Sequence, residues 1–200
     1  MHKFGRALVW LSRIRYCRGF GVQSPWAYRL IRYVINEHYP YYAYDDLMKD
    51  WPRLSVMERK LGMLYFRLIN YRQPNRILDY ASPTDAYAVF MKRGCAHSEV
   101  FPLATASGEV SFPTTSMNRP IEVMRMSLFG DYRSIFEWAL THTDDNSMII
   151  VEDIHHGKEE KTFWNHISHD QRTGVTFDLY YCGIIFFDKQ RYKENYIVNF

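Results

Sequence analysis

Apolar residues recur at helical spacing through the first third of the chain, and short β-rich runs replace them after residue 73. Phe4, Leu8, Leu11 and Ile14 share one face, with Lys3, Arg6 and Arg13 on others, which predicts an amphipathic first helix. Gly19 or Gly21 ends it. In Gly-Val-Gln-Ser-Pro, Ser24 is placed to cap a second helix whose first position holds Pro25, where a missing N–H costs nothing. Ala27, Leu30, Ile31, Val34 and Ile35 give that helix its apolar face. Pro40 then interrupts the tyrosine-rich run His38 to Tyr44. Its rings serve either as a stacking platform for a flat ligand or, the more common use, as a hinge with one ring edge packed and the hydroxyls in water. Ser55 and Glu58 have capping-box spacing and start a helix carrying Met57, Leu61, Leu64, Tyr65, Leu68 and Ile69, which must stop before Pro74.

From there the pattern alternates. Strands are expected at Arg76 to Tyr80, Glu99 to Leu103, Ile121 to Met126, Ser147 to Glu152, Val175 to Tyr181, Ile184 to Asp188 and Tyr196 to Val198. Helices fall between them near Asp85 to Arg93, Asp131 to Thr141 and Lys158 to His169, and a Ser/Thr/Pro-rich stretch runs from Ala104 to Pro120. Strand and helix in alternation, then consecutive strands, reads as an α/β fold with an open, mostly parallel sheet and a C-terminal antiparallel hairpin. The expected division is a helical N-terminal extension over residues 1–72, packed on an α/β domain over residues 73–200.

At 200 residues, 47% hydrophobic and 24% charged, the chain suits one compact unit, and no run approaches a membrane span. Three scattered cysteines, Cys17, Cys95 and Cys182, indicate neither a disulfide framework nor a thiolate zinc site. The basic N-terminus lacks a signal-peptide cleavage pattern, so a cytoplasmic location is expected. Charge is uneven: residues 1–36 hold seven Lys and Arg and no acid, against 18 basic and 22 acidic residues in the rest. Such a segment suits nucleic acid, an anionic membrane surface, or the body of its own or a second subunit. Aromatic residues reach 17%, whereas 10 glycines are few for a chain that wraps a nucleotide.

Several strings, in order, resemble class I S-adenosylmethionine-dependent methyltransferases, in particular a group of small bacterial methyltransferase-like proteins with a basic helical N-terminal extension. They are Gly19-Phe20-Gly21-Val22-Gln23-Ser24-Pro25-Trp26, Tyr41-Tyr42-Ala43-Tyr44, Leu64 to Tyr71, Arg76-Ile77-Leu78-Asp79, Val151-Glu152-Asp153-Ile154-His155, and Val175 to Tyr180 running into Gly183 to Phe187. The resemblance implies a Rossmann-like methyltransferase fold with S-adenosylmethionine at the turn after the first strand. In that family an acid and alternating glycines form the turn. Here Asp79 keeps the acid, but Ala81, Pro83 and Ala86 occupy the glycine positions, so the cofactor-binding candidates Asp79, Ala81 and Pro83 form a degenerate motif. A groove beside Asp79 narrowed by Tyr80, Pro83 and Tyr87 is expected. The family's ribose-binding acid is missing after Val100 to Ala104, Glu109 coming later, and Val123 to Phe129 contains no acid or histidine.

The densest remaining polar group is Glu152-Asp153-Ile154-His155-His156, at the carboxyl end of a strand, where ligands of open α/β sheets bind. Asp153 and His155 are the catalytic candidates; the competing reading has Asp153 capping the next helix with both histidines exposed. Related metal-dependent O-methyltransferases hold a divalent ion with a carboxylate there, but the partner acid is missing and no metal is expected. His166 and His169 read as a solvated helix flank. No hydrolase, P-loop or zinc-protease motif is present. The preferred expectation is a methyltransferase-like protein with reduced or lost catalysis that keeps its scaffold for a small molecule or protein partner. The alternatives are an active methyltransferase acting on a small-molecule acceptor through a diverged site, and a binding module using the basic N-terminal helices, including for homo-oligomer contacts.

Overall fold

The computed structural model describes residues 3–103, 105–106, 109–110 and 119–200. Helix α1 (Lys3–Ser12) is shorter than the sequence pattern suggests and passes into a 3-10 segment, Ile14–Gly19. Ser24 caps α2 (Pro25–Leu30), its hydroxyl accepting from the Ala27 N–H, and the coil widens into a π-turn over Ile31–Ile35. Pro40 breaks the chain as expected. Helix α3 (Ala43–Asp50) follows, and the sequence pattern did not suggest it. The capping box forms at Ser55 and Glu58 and opens α4 (Val56–Arg72), closed by Gln73 in the left-handed region.

The α/β part consists of β1 (Arg76–Tyr80), α5 (Ala86–Gly94), β2 (Glu99–Leu103), the short strands β3 (Thr105–Ala106) and β4 (Glu109–Val110), then β5 (Val123–Ser127), α6 (Tyr132–Leu140), β6 (Met148–Glu152), α7 (Lys158–His169), β7 (Thr176–Asp178), β8 (Cys182–Phe186) and β9 (Asn195–Ile197). Seven strands form one sheet in the order β2-β1-β5-β6-β8-β7-β9. The first four are parallel, and β8 runs antiparallel between β6 and β7. The open, mostly parallel sheet with an antiparallel C-terminal hairpin is therefore present. β9 pairs parallel with β7 at the far edge. β3 and β4 make a separate antiparallel pair, and the expectations for residues 107–108 and 111–118 lie outside the described residues.

Alternate strand residues point to opposite faces, and each face has its own core. Ile77, Val123, Met148, Ile150 and Ile184 pack with Leu61, Leu64, Leu68, Tyr87 and Met91 of α4 and α5, and with Leu30, Ile31 and Ile35 of the N-terminal segment. Leu78, Met124, Met126, Ile149 and Val151 pack with Ile135, Phe136, Phe163 and Ile167 of α6 and α7. Helix α2, the turn after it and α4 thus share one core with the sheet, while Tyr44 and Leu47 of α3 pack in a smaller cluster with Phe66, Ala86 and Phe90. The tyrosine segment divides: Tyr44 is buried and, with Tyr41, packs edge-on against Phe66, while Tyr39 and Tyr42 are exposed.

Candidate functional site

In an open α/β sheet the ligand crevice lies at the carboxyl ends of strands where the strand order reverses, here between β1 and β5. Asp79 of β1 stands directly opposite Arg125 of β5, and both point to the face covered by α4 and α5. Arg125 is completely buried, at 0% exposure. Its guanidinium donates to Asp79 Oδ1 at 3.0 Å and Glu152 Oε1 at 3.1 Å, and to the carbonyls of Tyr80 at 3.0 Å and Ala81 at 3.4 Å. The Tyr65 hydroxyl donates to the same Glu152 oxygen, and the Tyr87 ring lies 5.5 Å from the guanidinium carbon. One cation and two carboxylates are thus held together beside two tyrosines, with Asp79 at the edge nearest the strand ends.

Burial governs the protonation of this cluster. It pushes Glu152 up to about 7, despite the opposing pull of Arg125 and the Tyr65 hydrogen bond. It also raises Asp79, again against Arg125. Burial by itself disfavours a charged arginine, but Glu152 and Asp79 outweigh it and hold Arg125 in its charged form. The Tyr65 hydroxyl is pushed well up by burial and then by the Glu152 charge, so it remains a donor.

The turn after β1 keeps a glycine-like path without glycine, with Ala81 at φ +51° in the left-handed region. Pro83 is exposed and Tyr87 is buried against Arg125, so neither fills the groove. A cavity of about 370 Å³ persists beside Asp79, walled by Tyr80, Ala81, Ser82, Asp85, Pro102 and Leu103 among others. Of the three residues expected to narrow it, only Tyr80 forms a wall, and its hydroxyl donates to the Phe129 carbonyl at 3.0 Å. β2 ends in Pro102 and Leu103, with no acid in the strand's last two positions.

Asp153 and His155 do not come together as a pair. Asp153 is exposed, has φ +64°, and accepts from the Ser127 hydroxyl at 3.0 Å. It does not cap α7, whose N-cap is Gly157, because His155 and His156 intervene. His155 is not exposed as that competing reading held. Its side chain is 15% accessible, bonds Asp178 Oδ2 at 2.8 Å and stacks on Tyr180 with ring centres 4.8 Å apart. Arg13 reaches the other Asp178 oxygen at 2.8 Å and the Asp178 carbonyl at 3.0 Å. Burial alone would raise Asp178, but the His155 hydrogen bond and the Arg13 charge hold it below the usual carboxylate range. Among the described residues, no group of three His, Cys, Asp or Glu side chains is arranged to hold a metal ion.

Local pattern singled out neither Arg125 nor the partners Asp178 and Arg13. The one available signal for Arg125 was a charge flanked by Val123, Met124 and Met126 inside a strand whose neighbours on both sides are parallel and buried.

A sheet with this strand order, an antiparallel strand inserted next to the last parallel one and an acid closing β1 has the class I methyltransferase-like fold. Solved structures share it, among them two methyltransferases. The O-methyltransferase from Bacillus cereus in complex with SAH is 13% identical, with a TM-score of 0.51, over 77% of this chain and 94% of its own. The SAH-bound methyltransferase PaMTH1 from Podospora anserina is 13% identical, with a TM-score of 0.55, over 82% of this chain and 96% of its own. Neither a family model nor a curated protein sequence matches the chain.

Proposed function

We propose that this protein uses the methyltransferase scaffold without S-adenosylmethionine-dependent methyl transfer, because Arg125 supplies from within the positive charge that the cofactor brings from outside. S-adenosylmethionine carries two cations, an ammonium and a sulfonium, next to the adenosine. At the carboxyl end of β1 the groups suited to receive a cation are the Asp79 carboxylate and the Tyr80 and Ala81 carbonyls, and Arg125 engages all three. A ligand ammonium there competes with a guanidinium that is buried, charged and held by a second carboxylate, Glu152. At the turn, Ala81 carries a Cβ where the family has hydrogen, and Pro83 lacks an N–H. The residues present therefore do not fit the cofactor, and no transfer step is derived through it. The observation that carries this reading is the Arg125–Asp79 ion pair.

The scaffold remains suited to another small molecule or a protein partner, since fold does not fix function. One observation favours the alternative of an active enzyme with a diverged site: the cavity beside Asp79 is open, and about 370 Å³ falls within the range of small-molecule pockets. Titration calorimetry of the full chain with S-adenosylmethionine and S-adenosylhomocysteine separates the two readings. No saturable heat at millimolar ligand is expected. Micromolar binding that weakens in Asp79→Ala would overturn the proposal and restore the enzyme.

A further inference from the structure

The N-terminal segment shows solvent an apolar surface that the rest of the fold leaves uncovered. Leu8, Trp10, Leu11 and Ile14 are each about half exposed, and Phe20 is 84% exposed. They are not loose: the segment is pinned from its other side. Arg13 is bonded to Asp178 and the Val198 carbonyl, Asn199 donates its side-chain amide to the Trp10 carbonyl, and its backbone N–H donates to the Tyr16 carbonyl. Among the positions described up to Arg13, Gly5, Val9 and Arg13, at four-residue spacing, are the partly buried ones. The arc holding Ala7, Leu8, Trp10 and Leu11 consequently points outward. The segment's own charges have one sign: no acid occurs before Glu37, which lines a cavity with Trp10 and Arg18, and Arg15 and Arg18 are exposed.

We infer that this face lies on an anionic lipid surface, with the aliphatic arc and Phe20 in the headgroup boundary and the arginines against lipid phosphates. An outward row of leucine and isoleucine with a cationic surround is the composition of an interfacial helix. Trp10, half exposed at the edge of the arc, is the residue type enriched at that depth. Charge complementarity selects this occupant over the others. A symmetric contact with a second copy would set one all-basic segment against another. Nucleic acid rewards arginine and aromatic rings but gains nothing from Leu8, Leu11 or Ile14. This inference does not rest on the state of the cofactor site.

The test uses the full chain with sonicated vesicles of phosphatidylcholine alone or with one third phosphatidylglycerol. Co-sedimentation with the mixed vesicles is expected, weakened at least about tenfold in Arg15→Gln/Arg18→Gln, since each cation near such a surface contributes several-fold in affinity. Leu8→Glu/Leu11→Glu should abolish binding while thermal melting stays within a few degrees of the parent, because both side chains are already about half exposed and can carry a carboxylate outward. Equal binding to both vesicle types, or none to either, overturns the inference. So does a concentration-dependent dimer in sedimentation velocity that the Leu8→Glu/Leu11→Glu variant abolishes, which would assign the face to a second copy. Retention of a labelled oligonucleotide that the Arg15→Gln/Arg18→Gln variant loses, without vesicle binding, would assign it to nucleic acid.

Discussion

Replacing Arg125 by methionine keeps the aliphatic volume inside the sheet and removes the charge. Four donor contacts vanish, two to carboxylates and two to carbonyls. At an effective dielectric constant near 20, each ion pair is worth about 4 kcal/mol of attraction, much of it offset by the cost of burying the guanidinium. What matters is the state left behind: Asp79 and Glu152, nearly inaccessible, with no cation between them. Stranding buried charge in this way costs about 3–5 kcal/mol, a large fraction of the stability of a single domain. The loss should depend on pH. Both carboxyls already sit high in the parent protein, Glu152 at about 7, and without Arg125 both rise further, so at pH 5.5 Glu152 is neutral and the penalty shrinks. Urea unfolding followed by far-UV circular dichroism at pH 8 and pH 5.5 measures the difference. Adding Asp79→Asn and Glu152→Gln to Arg125→Met should recover most of the loss at pH 8. A loss below about 1 kcal/mol at pH 8, or the same loss at both pH values, would refute the claim that the cluster is held by charge compensation.

Glu152→Gln isolates one titration. Between the ordinary value of 4.5 and about 7, the unfolded carboxyl gives up its proton while the folded one keeps it, so stability falls as pH rises through that window and levels off above it. The difference between parent and variant should change by about 3 kcal/mol across the window; parallel stability curves would contradict the assignment. Asp178→Asn removes the shared partner of Arg13 and His155 and should loosen the N-terminal segment by about 1–3 kcal/mol, read as faster limited proteolysis after Arg13, Arg15 or Arg18 with the core intact. Because the Asp178 pKa is depressed, its contribution is complete above the ordinary carboxylate value and is lost as pH falls below it. The parent segment should therefore become protease-sensitive only in strong acid, and sensitivity that sets in well above the ordinary carboxylate value would contradict the assignment to Asp178.

The strands β1 and β2 and helix α7 were legible to the residue, because their ends are marked by Pro74 and by abrupt changes between apolar and polar positions. Helix α3 was not. It buries only Tyr44 and Leu47 and carries Asp45, Asp46, Lys49 and Asp50, so its apolar period is too short to register beside a proline-broken aromatic run. At the site, the altered turn after Asp79 could be read locally, since backbone path and side-chain bulk are properties of adjacent residues. Its electrical completion could not. Arg125 lies 46 residues from Asp79 and 27 from Glu152, and only strand pairing brings the three together. The setting of His155 was hidden for the same reason: the acid that binds it is Asp178, on β7, while its neighbour Asp153 accepts from Ser127.

The clasp between Arg13 and Asp178 also sets an order of events during synthesis. The two residues are 165 positions apart, and the tie from Asn199 to Cys17 spans 182. At ordinary translation rates about 10–30 seconds separate the emergence of Arg13 from that of its acceptor. A ten-residue helix has little stability alone, so α1 waits as an unanchored apolar strand of chain while the sheet assembles. For that interval its leucines are available to whatever the ribosome exit offers, a chaperone or a lipid surface, before β7 exists to fix which way they face.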